Sequence, residues 1–306
     1  MRSTSNGQPG IYVEILIRGS VDRLWQLTQD PALHQRWDLR FHRISYLPRA
    51  NSSVPQRFLY ETRIGFGLAI RGTGETLGQK SSGNDETTSA LKFASDDPKS
   101  LIRDGSGYWR YIPTSDDVRF LTWYDYEVRF GVFGRLLDRF AFRPLIGWAT
   151  AWSFDRLRLW IEIGQSPETS LALSLIHGVA RITVAFIWIW HGLIPKLLFH
   201  HIDEVTMLRQ AYIPAHWLPA LGVAEIAMGI LVLTTWNRRI ALIATALFMV
   251  LATIGVAVRS SQFLPAAFNP ITLNVAVLAL CIVGLIASRS LPTARRCLRK
   301  DPRSQR

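Results

Sequence analysis

At 306 residues the chain is long enough for two domains; residues 1–164 hold 22 Lys/Arg against 18 Asp/Glu and the rest only 13 against 5, so the second half is the apolar one. Seven basic residues of the +12 surplus, Arg289, Arg295, Arg296, Arg299, Lys300, Arg303 and Arg306, follow the last apolar run, which fits a membrane-flanking tail and argues against nucleic acid as a partner. Two cysteines, Cys281 and Cys297, exclude a disulfide framework and a structural zinc site.

Residues 1–10 lack the apolar core of a secretory signal, so the first domain is expected in the cytoplasm. A strand is predicted over 11–17, then a helix over 21–29 capped by Ser20, and a second over 31–37 with Pro31 in its first turn. Strand patterns follow over 44–47, 57–64, 68–77, 87–93, 107–112 and 118–130, separated by turn clusters such as 81–85. In the last of them Phe120, Thr122, Tyr124 and Tyr126 alternate with Leu121, Trp123, Asp125 and Glu127 across two faces. From residue 131 the period changes. Leu136, Leu137, Phe140, Leu145, Trp148, Trp152, Leu159 and Ile163 mark the apolar stripe of a long amphipathic helix, with a kink expected at Pro144. Residues 72–78 imitate a phosphate-binding glycine loop, but the spacing is GxGxxxG and no helical pattern follows, so a glycine-rich strand or bulge is expected.

This order of elements, with Val21-Asp22-Arg23-Leu24-Trp25, the Asp30-Pro31 turn and Trp37-Asp38, resembles the START-related helix-grip superfamily (SRPBCC) over about residues 10–163. The resemblance implies an α+β domain, an antiparallel sheet around a long C-terminal helix with an apolar cavity between them. Trp109, Trp123, Trp148 and Trp152 are the candidates to line that cavity, the alternative being a packed core without ligand. His34, Asp38, His42 and Glu61 are polar candidates near it, but their spacing fits neither a metal site nor a catalytic pair. No catalytic residue, metal or cofactor is expected.

After a polar link at 164–170, apolar runs at 182–199, 217–235, 240–258 and 270–287 each approach the length of a membrane span and predict an all-α four-transmembrane-helix bundle. The expected division is a sheet domain at 10–164, a bundle at 175–290 and a basic tail at 291–306. Arg238 and Arg239 between the second and third runs, with the basic set after the fourth, place both termini on the cytoplasmic side of the cell (inner) membrane. Trp188-Ile189-Trp190-His191-Gly192-Leu193-Ile194-Pro195-Lys196, Ala224-Glu225-Ile226-Ala227-Met228-Gly229 and Phe268-Asn269-Pro270-Ile271-Thr272-Leu273-Asn274 resemble the DoxX-like family of four-helix bacterial membrane proteins. That family takes its name from a subunit of a thiosulfate:quinone oxidoreductase.

Glu225 lies about 12 Å into its span, where facing lipid would cost roughly 2.5 to 3.5 kcal/mol, so it is expected to face protein. His191 is its expected partner, Arg181 and Lys196 compete for that place, and Asn269 and Asn274 are the remaining polar candidates of the bundle. The functional expectation is a non-enzymatic multi-pass membrane protein, in contact with membrane lipids, whose cytoplasmic domain binds or hands over a lipid-like or quinone-like molecule. The alternatives are a redox accessory acting at a quinone site and a scaffold without ligand.

Overall fold

The computed structural model describes residues 9–51, 54–65, 67–82 and 86–302. The chain separates into two compact units, residues 1–170 together with 292–306, and residues 171–291.

In the first unit β1 (Ile11–Arg18), β2 (Arg43–Tyr46), β3 (Arg57–Gly65), β4 (Leu68–Ser82), β5 (Glu86–Ala94), β6 (Ile102–Pro113) and β7 (Asp117–Val128) form one antiparallel sheet, ordered β1-β7-β6-β5-β4-β3-β2. Part of the turn expected at 81–85 lies outside the described residues. Between β1 and β2 come α1 (Val21–Gln29) and α2 (Pro31–Trp37). The Ser20 hydroxyl accepts from Arg23 N at 3.2 Å and the Asp30 carboxylate from Ala32 N at 2.8 Å, so each helix starts where its sequence offers a cap. After β7 the chain forms α3 (Gly131–Leu137), a π-helical turn (Asp138–Phe142) and α4 (Arg143–Ile163). Pro144 is the second residue of α4, which continues directly from the π turn through helical backbone at Phe142 and Arg143, so the irregular geometry lies immediately before the proline whose missing N–H the helix must accommodate.

The sheet grips α4. Val13, Ile15 and Ile17 of β1, Trp109 and Tyr111 of β6, and Phe120, Tyr124 and Tyr126 of β7 pack with Ala151, Phe154 and Leu157 of α4, while Leu24, Leu27 and Trp37 close one end. Phe120 and Phe154 stack at 4.5 Å between ring centroids. The glycine-rich stretch 72–78 belongs to β4. The rings of Tyr60 and Phe58 lie over Gly72 and Gly74, where an added Cβ would collide with ring atoms, and the register shifts between Thr76 and Gly78.

The segment expected as a basic tail packs on this unit. Leu298 exchanges two 2.9 Å backbone hydrogen bonds with Glu14 on the open edge of β1, and Thr293 N donates to Asp155 at 2.7 Å. The Cys297 thiol donates to Ala151 O at 3.3 Å, and Ala294 and Cys297 join the core. A strap laid along an edge strand satisfies backbone groups that would otherwise invite another chain.

The second unit is helical. It contains α5 (Pro167–His191), which begins at the end of the first unit and runs into a π-helical turn (Gly192–Leu198), then α6 (Ile202–Gln210), α7 (Leu218–Thr234), α8 (Ile240–Arg259) and α9 (Pro270–Ala287). Among the described residues, four helical stretches are long and apolar enough to cross a membrane: Pro167–Leu198, Ala215–Thr234, Ile240–Arg259 and the one starting at Pro270. The first helix starts well before its apolar run, because Ser166 caps it, accepting from Thr169 N at 3.1 Å, and the early turns carry polar side chains. α6 occupies a stretch that reads from sequence as a loop. Val184, Ala185 and Trp188, Val232, Ala241 and Leu242, and Val277 and Cys281 form the core of the bundle.

Candidate functional site: a polar cluster where two spans touch

The first span and α7 meet through glycine. An added Cβ on Gly192 would collide with the Gly222 carbonyl oxygen, and one on Gly222 would lie 2.7 Å from that of Gly192, so no larger residue permits this approach. Gly222 and Gly229 are both buried, three residues before and four after Glu225, which turns that face of α7 to the protein. At the same contact the first span leaves α geometry. Pro195 lies inside the π turn, and Phe199 N donates to Ile194 O, five residues back, at 3.1 Å.

This local widening places Lys196 Nζ 3.1 Å from a Glu225 carboxylate oxygen and 3.1 Å from one of Glu204 on α6. The lysine side chain is 9% exposed, those of Glu204 and Glu225 19% and 17%. The Glu225 oxygen of this pair is Oε2, which is itself buried and has the ammonium as its partner. One ammonium thus faces two carboxylates in a setting where charge is costly. Such a set can take up a proton or a cation, or hydrogen-bond the polar head of a lipid-soluble molecule.

The remaining bundle candidates fall elsewhere. Among the described residues, no hydrogen bond or ion pair joins His191 to Glu225. Lys196 takes that place, because its long stem carries a full charge back from the end of the span. Arg181 lies about 22 Å further along the helix at 1.5 Å per residue. It is fully buried, donates to the carbonyls of Val232 and Arg238 and, at 3.0 Å, to His177 Nε2, while His177 Nδ1 bonds Gly284 O at 2.9 Å. It therefore ties the C-terminal end of α7 and the turn after it to the first span rather than serving Glu225. Asn269 caps α9, accepting from Thr272 N at 2.9 Å, and Asn274 is half-buried on the same helix. Sequence reading missed Glu204, which lies in the unrecognised α6, and the 3.1 Å bond from Trp188 Nε1 to Thr245 on α8.

In the sheet unit the four candidate tryptophans do not surround one space. Trp109 and Trp152 are buried in the core. Trp123 stands on the opposite face of β7 and stacks on Tyr108 at 6.0 Å, since alternate residues of a strand face opposite ways. Trp148 is 42% exposed, because α4 turns its Gly147, Thr150, Ala151 and Phe154 side inward. His34 and Asp38 do come together. Asp38 accepts from His34 Nε2 at 3.1 Å and from Arg40 Nε and Nη2 at 2.9 and 2.6 Å. Burial alone would raise the Asp38 carboxyl, but the charge of Arg40 and the bonds from His34 and Arg40 outweigh it and hold the group well below the usual carboxylate range. The sequence reading took no pairing from these residues, although His34 and Asp38 stand four apart at the end of α2, and it did not consider Arg40. Glu61 is paired with Arg63 and Arg71, both at 3.3 Å, beside an open groove of about 380 Å³ that Arg43, Ser45 and Leu59 also line. His42 lies at that edge, with its Nδ1 3.5 Å from Arg63 N. Among the described residues no group of three His, Cys, Asp or Glu is placed to hold a metal ion.

The chain is 48% identical to YndG of Bacillus subtilis (strain 168), an uncharacterised membrane protein, over 186 residues, which are 60% of this chain and 69% of YndG. It belongs to the YndG family. Residues 185–282 match the DoxX-like family, and that stretch holds His191, Lys196, Glu204 and Glu225. Among solved structures, TTHA0849 from Thermus thermophilus is 16% identical, with a TM-score of 0.35, and aligns with 45% of this chain and 87% of its own. A STAR-related lipid transfer protein from Xanthomonas axonopodis is 13% identical, with a TM-score of 0.34, and aligns with 41% of this chain and 73% of its own.

Proposed function

We propose that this YndG-family membrane protein binds a lipid-soluble molecule with a polar head, lipid-like or quinone-like, and that Lys196, Glu225 and Glu204 receive the head inside the bundle. The observation that carries this reading is the buried lysine at the π turn, whose ammonium lies 3.1 Å from carboxylate oxygens of both Glu225 and Glu204. Buried ionisable groups in spans are costly to keep and mark ligand or ion pathways. The bundle is favoured over the sheet unit as the place of binding, since aromatic side chains occupy the space between sheet and α4. The protein is read as a binder rather than a catalyst.

Mass spectrometry of lipids and quinones extracted from the full-length protein in native nanodiscs tests the proposal. A specific passenger is expected with the wild type and should be depleted in Lys196→Met and Glu225→Gln proteins that keep the wild-type far-UV circular dichroism. A quinone passenger would favour a redox partner, a phospholipid a carrier role. Equal passengers in wild type and variants would reject the site.

A further inference from the structure

The segment between β7 and the body of α4 wears its apolar side outward. Phe130, Val132, Leu136 and Leu145 are each at least half exposed, and Phe133 and Phe140 reach 71% and 73%. Sequence periodicity assigned Leu136, Phe140 and Leu145 to a core-facing stripe. Phe142 packs on the core beside a polar network: Asp138 is buried, accepting from the Tyr126 hydroxyl at 2.7 Å and from Arg143 Nε at 2.9 Å, and Arg143 also reaches Asp125 at 3.2 Å. A polar network thus pins the segment to the sheet and leaves its other large side chains outside. Their exposed area is on the order of 700 Å², taking about 150 to 200 Å² for a full side chain, above the few hundred Å² usual for a soluble surface.

We propose that residues 130–145 dock the sheet unit onto an anionic bilayer, with Val132, Phe133, Leu136, Phe140 and Leu145 entering the head-group layer and Arg135 and Arg139 meeting lipid phosphates. Charge selects this occupant. Arg135 and Arg139 are exposed, whereas Asp138, the acidic residue between them, is turned inward and bonded. A second copy applying the same face would set arginine against arginine. Large apolar side chains interleaved with arginine suit the interface of a membrane carrying negative charge. The same chain carries helices able to span a membrane, so a bilayer is part of its surroundings. The surface is distinct from the Lys196 cluster and does not depend on that reading.

The test uses the full-length protein in phosphatidylcholine–phosphatidylglycerol nanodiscs, with the fluorophore NBD attached to Phe133→Cys, Phe140→Cys or, as a control in the exposed turn between β6 and β7, Ser115→Cys. Both native cysteines are buried. Doxyl-labelled lipid is expected to quench positions 133 and 140 at least about threefold more than position 115, as for an apolar face seated at the interface. Adding Arg135→Glu with Arg139→Glu should lower that quenching in the anionic discs and leave it unchanged in pure phosphatidylcholine. Quenching at 133 and 140 no greater than at 115 would overturn docking. So would labels shielded from iodide yet untouched by doxyl lipid in discs holding one copy, the pattern of a face covered by protein. Quenching indifferent to the arginine changes in anionic discs would overturn the phosphate contacts.

Discussion

Replacing Lys196 with methionine keeps the length of the side chain and removes the one ammonium shared by Glu204 and Glu225. Removing one partner of a fully buried pair costs about 3 to 5 kcal/mol, because the other charge stays buried without compensation. Here the carboxylates retain 19% and 17% of their side-chain exposure, so partial solvation lowers the expected loss to about 2 to 4 kcal/mol. Replacing Glu225 by methionine as well removes the strained charge, and the double variant should recover part of the loss, a coupling of roughly 1 to 3 kcal/mol. The measurement is a double-mutant cycle on unfolding by SDS titration in mild detergent, followed by far-UV circular dichroism. If the two single losses add to the double loss within about 0.5 kcal/mol, the residues are independent and the ion-pair reasoning fails.

Arg181→Lys should destabilise the bundle in the same assay by about 2 kcal/mol or more, since an ammonium cannot serve His177 and the Val232 and Arg238 carbonyls in fork geometry and buried acceptors would be left unpaired; stability unchanged by lysine would contradict this role. Burial, with Asp155 nearby, pushes the Cys297 thiol up to about 12, so N-ethylmaleimide should modify it slowly. Thr293→Pro, which deletes the N–H donated to Asp155, should loosen the strap and speed that reaction several-fold. The folded-state pKa of Asp38 is depressed, so its contribution is fully present above the ordinary carboxylate value of about 4 and is lost as pH falls below that value towards the depressed one. Near-UV circular dichroism should report weaker packing of the sheet unit in that range, and Asp38→Asn should flatten the dependence. For topology, cytoplasmic termini remain our proposal from the arginine bias: a cysteine at Ser261 should react with an impermeant maleimide on intact cells and one at Ser115 should not, and the opposite pattern would invert the orientation.

Local chemistry alone settled a good deal about this protein. Ser20, Asp30 and Pro31 specify where α1 and α2 begin, and period-two alternation in β7 puts Phe120, Tyr124 and Tyr126 on one face, the one that joins the core. Four apolar runs are enough to announce four spanning helices, and Gly222 and Gly229 flank Glu225 on a face that must meet another helix. These features depend on residues a few positions apart, so the sequence carries them openly.

What tertiary structure decided depends on which distant groups compete for the same partner. Lys196 was one of three candidate partners for Glu225, and the π turn and the glycine contact bring it there ahead of His191, while α6 supplies Glu204. Arg181 found backbone carbonyls at the ends of other elements, which no pattern of side chains advertises. The helical stripe through Leu136, Phe140 and Leu145 has the right period for a core, yet the buried bonds of Asp138 to Tyr126 and Arg143 rotate it outward. A basic segment some 280 residues from β1 in sequence completes the edge of the sheet through Leu298. Periodicity states that a face is apolar, whereas the pairing of buried polar groups, which cannot go unsatisfied, decides which way that face turns.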